Sequence, residues 1–131
     1  MASKAATVAR ILLGLVFVFF GLNGLLHFLP QPPMEGAAGQ FIGGLSAGGY
    51  FVPMMASIQT ISGLALLVRR FVPLALILLA PIVVNIVAFH IFLAPSGLPI
   101  AIVVLALEVL LAWSYRSVFH PLLRARDEAV P

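Results

Sequence analysis

Cysteine is absent from this chain, and charge is scarce. Without cysteine there is no disulfide, no thiolate nucleophile and no Cys-ligated zinc or iron–sulfur centre. Charged residues make up 8% of the 131 positions, against roughly 25% in soluble domains. A soluble fold needs a charged, mixed surface, and so few charges cannot provide one. Only four of the charges are acids, against seven cations. The excess of cations does not indicate nucleic acid, because no basic stripe lies on a soluble face. There is no phosphate-cradling glycine loop, no metalloprotease helix and no nucleophile elbow. Ser57, Ser62 and Ser114 have no His and Asp arranged around them, and no metal site is expected.

Long hydrophobic runs are what the chain does have, and 63% of it is hydrophobic. Four runs approach the ~20 residues that cross a ~30 Å hydrocarbon core: about 10–29, 51–68, 71–93 and 98–115. Lys4 and Arg10 give the first run a basic start. It exceeds the 7–15 residues or so of a signal-peptide core, so cleavage is not expected. Between the first two runs, Met34, Ala37, Ala38, Phe41, Ile42 and Leu45 recur with a helical period. Pro32 and Pro33 precede them, and Glu35 falls in the first turn. This predicts a short amphipathic helix over about 34–46, lying in the membrane interface. The fold class expected is therefore all-α, a four-helix transmembrane bundle forming one membrane domain.

The cations set the orientation. Lys4 and Arg10 precede the first run, Arg69 and Arg70 join the second to the third, and Arg116, Arg124 and Arg126 follow the fourth. With four crossings all seven share one side, while the connections on the other side carry only Glu35. The positive-inside rule then predicts that both termini are cytoplasmic, in a bacterial inner membrane. Trp113 and Tyr115 at one boundary and Tyr50 at the other fit an aromatic belt.

Glu108 is the only acid within the four runs. A charge near the membrane centre costs roughly 2.5–3.5 kcal/mol on insertion scales and usually meets a partner or a cavity. Asn23, His27, Gln59, Asn85 and His90 are also embedded in or at the ends of these runs. At 1.5 Å rise per residue, Gln59 and Glu108 fall within about 3 Å of the midplane, Asn23 and Asn85 about 5 Å outward, and the two histidines about 11–12 Å outward. All six are expected to converge in the middle and outer half of the bundle. Asn23 and His27 share a helix face. Asn85 and His90, five apart, diverge by about 140° unless Pro81 distorts the helix. The first and third runs share an Asn–His–Pro order, which suggests two related hairpins.

Each residue also has a structural reading. Glu108 can be a packing partner, the histidines can be interfacial, and the amides can be interhelical glue worth only about 0.6 kcal/mol each. Gly14, Gly21, Gly24 and Gly63 allow helices to approach closely. The functional reading makes Glu108 a proton-exchanging group and Asn23, His27, Gln59, Asn85 and His90 ligand-binding groups. Two histidines at one depth permit haem ligation, but nothing in the chain demands it, and haem is not expected.

The segments Arg10-Ile-Leu-Leu-Gly14, Phe20-Gly21-Leu-Asn-Gly24 and Gln59-Thr-Ile-Ser-Gly63, with Asn85, His90 and Glu108, resemble the DoxX-like family of small membrane proteins. The resemblance covers about residues 10–123. It implies a four-helix membrane bundle and, for some members, a place in quinone-linked oxidoreductases or oxidative-stress complexes. The chain departs from the family at Gln59, where an acid is expected, so a two-carboxylate proton relay is not implied. Three functions follow as expectations. The first is a quinone-associated redox component with a partner protein as electron donor or acceptor. The second is a proton-coupled carrier of a small solute. The third is a structural or assembly subunit, in a larger complex or as a homo-oligomer in the bilayer.

Overall fold

The computed structural model describes residues 3–30 and 33–130. Its elements are α1 (Lys4–Leu26), α2 (Gly36–Ala47), α3 (Phe51–Leu67), α4 (Val72–Phe92), α5 (Leu98–Ser114) and α6 (Arg116–Phe119), with 3-10 turns at Pro95–Gly97 and His120–Leu123. No strand occurs among the described residues. Three helices are long and apolar enough to cross a membrane: α1, α4, and α5 counted with the turn before it. A fourth crossing is reached only if α2 and α3, which meet at 89°, count as one broken span.

The helix ends follow from local chemistry. Ser3 caps α1, its Oγ accepting from the Ala6 N–H at 3.0 Å, so the helix begins six residues before the predicted span. It ends at His27, which adopts the left-handed conformation (φ 52°). The amphipathic segment is a helix, as its period predicts, and starts at Gly36 beyond Pro33; Pro32 lies outside the described residues. Arg69 and Phe71, both left-handed (φ 57° and 56°), turn the chain from α3 into α4. The helix α4 continues through Pro81. The Pro95–Gly97 turn joins α4 to α5.

The helices pack in a ring: α1 on α3, α3 on α4, α4 on α5, and α5 back on α1. The α1–α3 seam is the closest. A methyl group built on Gly63 would meet the Val18 nitrogen at 2.8 Å and the Gly14 carbonyl oxygen at 2.9 Å, and one on Gly24 would meet Ala56 Cβ at 2.8 Å. Backbones approach this closely only where side chains are absent or small, as expected for interfaces between apolar helices. Arg10 ties the same pair at its end. Its guanidinium donates to the carbonyls of Leu66 and, at 3.2 Å, of Leu67. Both carbonyls belong to the last turn of α3, where a cation is favoured.

The fully buried side chains include Leu13, Phe17, Leu66, Leu76, Leu79 and Leu111. On α3, α4 and α5 these lie toward the helix ends that carry the arginines. That half of the ring is filled. Large apolar side chains cover the outside, among them Leu15, Phe19, Ile61, Leu74, Ile102 and Val109. A soluble monomer rarely exposes so much contiguous apolar surface, whereas hydrocarbon accepts it.

Candidate functional site

The six polar residues singled out in the sequence do not gather at one point. Gln59 and His90 do line one cavity. They are the polar side chains of a cavity of about 260 Å3 whose wall comes from all four long helices: Val16, Phe17 and Phe20 of α1, Ile86 of α4, and Ile100, Ala101 and Val104 of α5. Both polar residues are half-buried. Phe20 and Ile100, 49% and 70% exposed, stand at the rim, so the cavity meets the apolar surface between α1 and α5.

His90 is held in place by the turn that follows it. Its Nδ1 lies 3.0 Å from the Ala94 carbonyl oxygen. A carbonyl only accepts, so Nδ1 carries the hydrogen, and in the neutral ring Nε2 is left as an acceptor. The ring also stacks edge-on against Phe89, which packs on Phe41 of α2. The α2 helix is thereby linked to the site.

Asn85 lies on the other side of α4, as the five-residue spacing predicts. It is exposed and faces grooves between α2, α3 and α4, one of about 440 Å3 with Phe41, Leu45 and Phe51, the other of about 180 Å3 shared with Gln59. Gln59 therefore lines both the cavity and this groove.

Asn23 is buried and occupied. Its Oδ1 accepts from the Leu29 N–H at 2.8 Å, beyond the helix end. His27 is exposed, with its own N–H donating to the Asn23 carbonyl at 2.7 Å. It lines none of the four cavities described, so the two histidines share no site.

Glu108 is buried, but it faces a different groove, between α4 and α5. The expected convergence on Glu108 therefore fails: α5 turns Ile100, Ala101 and Val104 to the Gln59–His90 cavity, and Glu108 to the α4–α5 groove. Its Oε2 and the Ser62 Oγ are buried without a hydrogen-bond partner. Among the described residues no group of three or more His, Cys, Asp or Glu could hold a metal ion.

In comparisons with known proteins, no family model, no curated protein and no solved structure matches the chain.

Proposed function

We propose that this is an integral protein of a bacterial cytoplasmic membrane, a four-helix transmembrane bundle of the DoxX-like type with both termini inside. In this reading the Gln59–His90 cavity holds the headgroup of an isoprenoid quinone, and the chain is a component of a quinone-linked redox system. The observation that carries the proposal is the cavity itself: apolar walls from four helices, two polar side chains, and a rim on the lipid-facing surface. Ligand sites are mostly apolar, with a few placed polar groups.

The two polar groups differ in chemistry. The Gln59 amide can donate to a quinone carbonyl. His90 Nε2, with Nδ1 committed to Ala94, can accept the hydroxyl hydrogen of the quinol. The reading thus assigns hydrogen bonding and proton acceptance to His90 rather than to Glu108. Electrons pass to or from a partner protein. A small-solute carrier has less support, because the filled half of the ring, with Leu66, Leu79 and Leu111, leaves no inner path through one copy.

Titration of a short-chain quinone analogue into the purified protein tests the proposal. Leaving a buried polar group unpaired costs about 1–3 kcal/mol, so His90→Phe and Gln59→Leu should each weaken binding by roughly tenfold or more. Unchanged affinity in both variants would remove the cavity from the account.

A further inference from the structure

Glu108 has no part in the quinone cavity, and its surroundings suit another ligand. It is 6% exposed, and its Oε2 has no partner. The only salt bridge among the described residues joins Arg124 to Asp127. The helices packed against α5 bring Lys4 and Arg10 from α1 and His90 from α4, and none of these hydrogen-bonds to it. The adjoining Arg116 is turned to Trp113, donating to its carbonyl at 2.9 Å and lying over its ring at 4.8 Å.

The groove that Glu108 faces measures about 350 Å3 and is otherwise apolar, walled by Ala80, Val83 and Val84 of α4, Leu105 and Val109 of α5, and Phe119. Val84 and Val109 are 64% and 58% exposed, so it opens on the surface that lipid would cover.

A carboxyl group in such surroundings stays neutral unless a cation pairs with its ionised form. A hydrated metal ion would lose its water on crossing hydrocarbon, so the fitting partner carries its charge on an apolar body. The volume falls in the range of small-molecule sites, roughly 300–1,000 Å3. A helix about 10–12 Å across with its side chains is a poorer match. We propose that the α4–α5 groove is a second binding site, which takes a lipophilic monocation from the bilayer and pairs it with Glu108. This depends on the helices spanning a membrane and is independent of the quinone cavity.

The test is calorimetric titration of tetraphenylphosphonium into the full chain in mild detergent, with neutral triphenylphosphine oxide as control. Saturable binding of one cation per chain is expected. Removing one partner of a buried charge pair is costly, so Glu108→Gln should weaken binding by more than ~30-fold. Ala80→Phe, which fills the groove and leaves the carboxylate, should also abolish binding, and it decides the matter if Glu108→Gln does not fold. The neutral control should bind weakly and equally to wild type and Glu108→Gln. Absence of saturable binding, cation affinity unchanged in the folded variants, or equal affinity for the neutral compound would each overturn the proposal.

Discussion

The imidazole of His90 lies directly against Gly97. A methyl group built on Gly97 would come within 2.5 Å of its Nδ1, the nitrogen that donates to the Ala94 carbonyl. Gly97→Ala should therefore push the ring out of place while leaving the helices formed. Quinone-analogue affinity should fall by roughly tenfold, the effect of one lost buried hydrogen bond, with helix content by circular dichroism unchanged. Full affinity in Gly97→Ala would show that the ring's position is irrelevant to the ligand.

The α1–α3 seam should tolerate no side chain at Gly63. Val at this position must displace the Val18 and Gly14 backbones, and overpacking of this kind typically costs about 1–3 kcal/mol. The variant is expected to lose its monodisperse peak on size exclusion or to unfold at clearly lower temperature. Wild-type behaviour would mean that the helices are not in backbone contact.

Asn23 and His27 should affect stability and not binding. Asn23→Leu leaves the Leu29 N–H without its acceptor and should cost about 1–3 kcal/mol. His27→Gly relieves a left-handed residue and should be neutral or stabilising by up to about 1 kcal/mol. Thermal unfolding in detergent reads both. A loss of quinone-analogue affinity in His27→Gly, with stability retained, would return His27 to the ligand site.

The natural absence of cysteine makes topology directly measurable. Ser46→Cys at the end of α2 should react with a membrane-impermeant maleimide on intact spheroplasts. Ser117→Cys in α6 should react only after permeabilisation. The reverse pattern would invert the orientation proposed from the arginines.

The long apolar helices were legible because they depend on composition along the chain. The α2 helix was legible because its period is local, and the α1–α3 seam because glycine on an apolar helix has few other uses. The divergence of Asn85 from His90 followed from the helical period. What could not be read was which way Glu108 faces relative to Gln59. Segments that are apolar all round carry no stripe to fix their rotation, so equal depth does not imply a shared cavity. The structural use of Asn23 was hidden for a related reason, since its partner Leu29 lies past the end of the helix.

The most direct measurement is mass spectrometry of the small molecules retained when the protein is extracted from its native membrane in mild detergent. Wild type and His90→Phe should be compared side by side. An isoprenoid quinone near one per chain is expected in the wild type, with strong depletion in the variant. Equal quinone in both, or phospholipid alone in the wild type, would contradict it.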